Sequence, residues 1–180
     1  MKKVQASIVV FLLVFYMAIF YLVTHPKVSP EYKAYYISRD SNLTIKERKA
    51  LKPIILGEDI SHDDPRVGYD GWHDRETGYR WSAGESSKIL FLLKNGDQRD
   101  GTLRLSMLLE PLGNQGISVS LNEKRVYDGV LTGIGKIDIP IPATLLMHGE
   151  NVLRINCPDA HKTGTDKRKR GIALSSFTIQ

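Results

Sequence analysis

From residue 88 to residue 179 the chain repeats one pattern: a short apolar run, a turn, and another short apolar run. Lys88-Ile-Leu-Phe-Leu-Leu93 is almost continuously apolar, as a strand buried on both faces would be. Leu103–Leu109 alternates at its start, and Ile117-Ser-Val-Ser-Leu121 and Ile137-Asp-Ile-Pro-Ile141 alternate throughout. Asn151–Asn156 and Ile172–Ile179 complete the series. A period of two sends successive side chains to opposite faces of a strand, so each run presents one apolar face. Between the runs stand turn formers: Asn95-Gly96-Asp97, Gly113–Gly116, Asn122-Glu123-Lys124, Asp128-Gly129 and His148-Gly149-Glu150. Pro142–Met147 has room for a single helical turn. Strands this close together, with no long helix among them, predict an all-β fold, an antiparallel β-sandwich of the jelly-roll kind. No internal repeat is visible.

The N-terminal segment follows a different rule. Val4 to Thr24 carries no charge. About 20 apolar residues in a helix cross a ~30 Å hydrocarbon core, and Tyr16 and Tyr21 suit the interface. The exit, Tyr21-Leu-Val-Thr-His-Pro, lacks the small-x-small pattern of a cleavage site. Residues 1–24 therefore read as an uncleaved signal-anchor transmembrane helix. Lys2 and Lys3 favour a cytoplasmic N-terminus. The expectation is a single-pass protein of the bacterial inner membrane with its C-terminal domain in the periplasm. Residues 25–56 read as a tether with two short helices. One starts at Ser29-Pro30-Glu31, and the other has the capping box Thr44-x-x-Glu47 and ends at Pro53. Tyr32, Tyr35 and Tyr36 lie between membrane and domain. Residues 57–180 are left for the sandwich.

Charge narrows the partners. The net charge is +5, with a pI of about 9.3. Lys2 and Lys3 belong to membrane topology, and part of the remaining excess sits in Lys167-Arg168-Lys169-Arg170, read as a solvated loop. No basic face interleaves with aromatics, so a nucleic-acid partner is not expected. The single cysteine, Cys157, excludes an intrachain disulfide and a cysteine-based zinc cluster. On a strand-like segment it reads as a small buried hydrophobe.

One stretch gathers the chemistry. Gly71–Ser82 contains both tryptophans, Trp72 and Trp81, with His73, Asp74, Glu76, Tyr79 and Arg80. Aromatic rings suit the apolar faces of sugars while carboxylates and arginine bond hydroxyls. All seven are candidate ligand-binding residues. Trp81 and Arg80 also admit a structural reading, with Trp81 in the core and Arg80 paired to Glu76. His73 with Asp74 and Glu76 has the elements of a general base, yet no nucleophile elbow or assignable serine or cysteine accompanies them. His62, Asp63, Asp64, His73 and Asp74 are metal-ligand types without a recognised spacing. No catalytic residue, metal or cofactor is therefore expected.

The same residues carry a resemblance. Gly71-Trp72, Glu76-x-x-x-Arg80-Trp81-Ser82-x-Gly84, Val119-x-Leu121-Asn122, Ile139-Pro140-x-Pro142, Gly149-x-Asn151-x-Leu153-x-Ile155 and Asp166-x-Arg168-x-x-Gly171-Ile172-x-Leu174 are the landmarks. They resemble a carbohydrate-binding-like β-sandwich accessory module of bacterial membrane phosphoglycerol transferases and glycosyltransferases. The likeness spans roughly residues 66–180, and no catalytic domain accompanies it here. It implies a non-catalytic module that engages envelope polysaccharide or assists an enzyme of its synthesis or modification, with the membrane and such a transferase as partners. A protein-interaction subunit or inhibitor in envelope assembly is the alternative.

Overall fold

The computed structural model describes residues 2–24, 42–94 and 100–180, with side chains in the first helix described from Phe11 onward. The helix start at Ser29, the tyrosines 32, 35 and 36 and the turn at Asn95 lie outside the described residues. The chain divides into two compact units, residues 1–38 and 39–180.

In the first unit, α1 runs from Lys2 to Thr24. Phe11, Leu13, Val14, Met17 and Phe20 are exposed on it. Among the described residues no helix is long and apolar enough to cross a membrane.

The second unit is a two-sheet sandwich. Its strands are β1 (Pro53–Ile54), β2 (Ile60–Ser61), β3 (Gly68–Asp70), β4 (Arg80–Trp81), β5 (Ser86–Leu93), β6 (Thr102–Pro111), β7 (Gln115–Leu121), β8 (Lys124–Leu131), β9 (Gly135–Pro142), β10 (Gly149–Asn156) and β11 (Ile172–Ile179). One sheet runs β1-β5-β10-β7-β8, with β3 also on β5; the other runs β2-β11-β6-β9, with β4 also on β11. Strands β4 to β11 thus alternate between the orders 4-11-6-9 and 5-10-7-8, the two-Greek-key wiring of a jelly roll. Inward residues of both sheets make one core, in which the Phe91 and Phe177 rings meet at 6.1 Å between centroids.

Three details correct the sequence reading. Pairing is not wholly antiparallel, because β1 runs parallel to β5. Asp128-Gly129 is not a turn but lies inside β8. The turn is Asn122-Glu123, both residues with positive φ, as the tightest hairpins require. A Cβ at Gly129 would lie 2.5 Å from the Tyr127 hydroxyl, so a larger residue there would displace that ring. Finally, the segment read as a tether contributes to the sandwich. α2 (Ile45–Ala50) carries the full capping box of Thr44 and Glu47. Leu43 is buried, Ile54 enters the core, and Arg48 is held at 2.6 Å by Glu150. Asn42 donates through its backbone and side-chain nitrogens to Asp70, 2.9 Å each. Leu90, fully buried but outside the central core, marks the half of the β5 outer face that this segment covers through Leu43 and Gly68.

Candidate functional site

The stretch 71–82 folds as a frame before it presents anything to solvent. At Gly71 φ is +74°, and a Cβ would lie 2.6 Å from the Ser86 carbonyl oxygen, so only glycine fits. The chain turns back at Glu76, whose N–H donates to the Tyr79 carbonyl at 3.0 Å. Trp72 and Ser82 bridge across the base of this excursion. The Ser82 hydroxyl accepts from the N–H groups of Gly171 and Ile172 at 3.0 and 3.1 Å. Gly171 must be glycine for a packing reason: a Cβ there would meet that of Cys157 at 2.7 Å.

β4 is two residues long, and its side chains leave on opposite faces. Arg80 lies opposite Leu174, a core residue, and therefore points inward. Tyr69 lies opposite Ile89 on the other sheet and also points inward. The Arg80 guanidinium stacks on the Tyr69 ring, 4.3 Å from its centroid, and so ties the two sheets together. A contact of this kind is worth about 0.5–2 kcal/mol. Burial lowers the Arg80 pKa, and its Nε has no hydrogen-bond partner. Trp81 takes the outer face, over Ala173. Its ring lies 5.0 Å from the Arg170 guanidinium and 5.9 Å from Tyr79, edge to face.

The expected Arg80–Glu76 pair does not form, because Arg80 turns to the core side. Glu76 instead meets Arg168 at 2.8 Å. Arg168 also grips Asp166 at 3.0 Å, and Arg170 approaches Asp166 at 3.3 Å. Arg168 accordingly pulls the Asp166 carboxyl down to about 2 and depresses that of Glu76. Lys169 pairs with Glu85. The basic run 167–170 is thus a latch on the 71–82 frame, and Lys167 alone among its four carries no ion pair among the described residues. Arg170 in turn lies over the Trp81 ring.

The other candidates are dispersed. The Trp72 indole N–H donates to the Lys88 carbonyl at 2.9 Å, and its ring packs edge-on to Tyr69 at 6.4 Å. The His73 Nε2 lies 3.2 Å from the Lys169 carbonyl oxygen, and its backbone N–H donates to Trp81. His62 is buried, with Nε2 at 3.2 Å from the Glu76 carbonyl oxygen. Asp63 accepts from the Ser61 hydroxyl at 2.7 Å, and Asp64 pairs with Arg66 at 2.6 Å. Among the described residues no cluster of three or more potential metal ligands forms. Asp74 and Arg75 are exposed, and Tyr79 is partly so. Glu76 holds the Tyr79 hydroxyl and raises its pKa.

What remains accessible is therefore the partly exposed Tyr79 ring beside the Glu76–Arg168 pair, with Asp74 and Arg75 exposed separately and Arg75 3.9 Å from Asp63. Sequence reasoning admitted an Asp166–Arg168 ion pair but missed Tyr69, the Arg168–Glu76 pair and the role of Arg170. The Asp166-x-Arg168 spacing was the available signal for the latch. Tyr69 stands in a three-residue strand too short to show a period.

No family model and no curated protein matches the chain. Similar solved structures include a CBM35 from Paenibacillus barcinonensis, at 16% identity and TM-score 0.47, with 69% of this chain and 98% of that one covered. Another is a family 35 carbohydrate binding module from Clostridium thermocellum, at 13% identity and TM-score 0.43, with 68% and 98% covered. A third is a GH26-CBM35 β-(1,4)-mannanase from Podospora anserina, at 16% identity and TM-score 0.46; the match covers 68% of this chain and 27% of that one.

Proposed function

We propose that this chain is a non-catalytic accessory protein that binds glycan through its sandwich and is held at a membrane by α1. It would serve cell-envelope polysaccharide or an enzyme that makes or modifies it. The observation that carries the binding reading is the braced Tyr79: an aromatic ring on a fixed turn, with carboxylates and guanidinium groups beside it. Such a set offers a sugar one stacking surface and several hydrogen-bonding groups without loop ordering on binding.

The non-catalytic reading rests on how the reactive groups are spent. His62 and His73 each place Nε2 on a backbone carbonyl. The Ser82 and Ser87 hydroxyls serve backbone groups. Cys157 is buried, which pushes its thiol up to about 12, far from a nucleophilic thiolate. The anchor reading rests on the uncharged run Val4–Thr24 and on the exposed apolar side chains of α1.

The test is a panel of envelope-type glycans against the full chain in nanodiscs, with Tyr79→Ala and Trp72→Ala variants. Tyr79→Ala is expected to weaken glycan binding about tenfold or more, as loss of an aromatic anchor does, with melting unchanged. Trp72→Ala is expected to lower the melting temperature, because Trp72 is part of the frame. Absence of glycan binding, or binding indifferent to Tyr79, would refute the site. A single stoichiometric protein partner in membrane crosslinking, without glycan, would move the reading to an interaction subunit.

A further inference from the structure

A second surface, on the outer face of the first sheet, has an organisation that the Tyr79 region does not explain. Strand register sets it. Leu153 and Ile155 of β10 face the core, so Val152, Arg154 and Asn156 face outward. Arg154 lies opposite Lys88 on one side and Ser120 on the other, and Ser120 lies opposite Arg125. One transverse row therefore reads Lys88, Arg154, Ser120, Arg125. The adjacent row reads Ser86, Asn156, Ser118, Asp128. Three cations in one row, two of them directly opposite, is an unfavourable arrangement in the absence of an anion.

Two of the nearby acids are taken up by Lys88 and Arg125, and Glu123, which lines the same depression as Arg154, makes no ion pair with it. Lys88 is paired with Asp70 at 3.7 Å, and Arg125 with Asp128 at 3.0 Å. Arg154 has no ion pair among the described residues. It also lines a depression of about 220 Å³ with Val152, Met147, Asn122 and Glu123. Met147 is 51% exposed there, so one wall is apolar and open to solvent. The walls are stiff. Asn122 donates to Asn151 and to the Leu145 carbonyl and accepts from the Val152 N–H, so its position is fixed by three bonds.

We propose that this depression is a binding site for an acidic saccharide, one carrying a carboxylate or phosphate group. The oxyanion sits on the Arg154 guanidinium, whose fork geometry matches two oxygens. Val152 and Met147 take a C–H face of the ring. The hydroxyls of Ser118 and Ser120 and the Asn156 amide, beside Arg154 in register, meet sugar hydroxyls. A free oxyanion or an anionic lipid surface would use the guanidinium alone and leave the apolar wall and the hydroxyl row without a role. The site does not depend on Tyr79.

The experiment titrates the full chain, in zwitterionic nanodiscs, with oligogalacturonate, a neutral galactose oligomer of equal length, a sugar phosphate and inorganic phosphate. Separate nanodiscs carry phosphatidylglycerol. At least one acidic sugar is expected to bind, with the neutral oligomer and inorganic phosphate at least tenfold weaker. Arg154→Gln is expected to weaken acidic-sugar binding at least tenfold with unchanged melting. Arg154→Lys should keep the salt dependence and lose part of the affinity. Tyr79→Ala should leave this binding intact, which separates the two sites. Equal binding of the neutral oligomer, indifference to Arg154→Gln in a folded variant, or a response confined to phosphatidylglycerol would overturn the assignment.

Discussion

Replacing Asn151 by leucine tests whether the sequence landmarks at 119–122 and 149–155 are structural. Asn151 is fully buried, and its amide is completely used. Its oxygen accepts from the Met147 N–H and from the Asn122 side chain, both at 2.8 Å. Its nitrogen donates to the carbonyls of Met147 and Gly149, at 2.9 and 3.1 Å. Leucine has similar branching and no polar atom. Four bonds at about 1 kcal/mol each give about 4 kcal/mol, counted with the part-buried Met147 N–H and Asn122 amide left without this partner. For a chain of this size that corresponds to about 8–16 °C in Tm. The assay is urea unfolding followed by circular dichroism, where the midpoint should fall with an unchanged slope. Asn122→Ala should cost less, because Asn122 is one arm of the network, and the double variant should fall short of additivity. A loss under about 1 kcal/mol for Asn151→Leu would refute the reasoning, since it would mean that water satisfies these groups as well as the amide does.

Two further predictions concern titratable groups. Arg168 holds Asp166 at about 2 in the folded chain against an ordinary 3.8, so its contribution is complete above 3.8 and is lost as pH falls toward 2. The urea midpoints of wild type and Arg168→Gln should therefore differ at neutral pH and converge over that acid window; a constant difference would show that the latch is not electrostatic. Cys157, with its thiol pushed up to about 12 by burial, should resist a thiol reagent at pH 8 and react on unfolding; fast labelling of the native chain would contradict the packing described here.

The strands that show a period in the sequence are those with room to show it. β5, β6, β7, β9, β10 and β11 are each at least seven residues long and alternate against a core. β1, β2, β3 and β4 are two or three residues long, and pairing rather than pattern makes them strands. β8 was hidden for another reason. It is an edge strand with four of its eight residues charged or glycine, so its alternation is faint. The 71–82 stretch was visible as a concentration of aromatic and charged side chains. Its division was not, because the direction of Arg80 depends on Leu174, nearly a hundred residues away in the chain. The same holds for Glu76 and Arg168: composition offers Glu76 a neighbouring arginine at 80, and the fold gives it another. The capping box of α2, a wholly local signal, was legible in full.

The last strand has a consequence for how the chain is made. β11 is the last strand in chain order, yet it lies in the interior of its sheet, between β6 and the short strands β2 and β4. Among the described residues β2 and β4 have no other strand partner. A chain emerging N-terminus first must therefore hold its sandwich open until β11 is released. During that interval the edge of β6 is unpaired and the inward face of β5, where Phe91 meets Phe177, lacks its cover, so any factor that guards nascent chains would find its substrate there. Truncation after Gly171 would remove an interior member of a sheet, and the shortened product would be a matter for proteolysis rather than a weakened version of the protein.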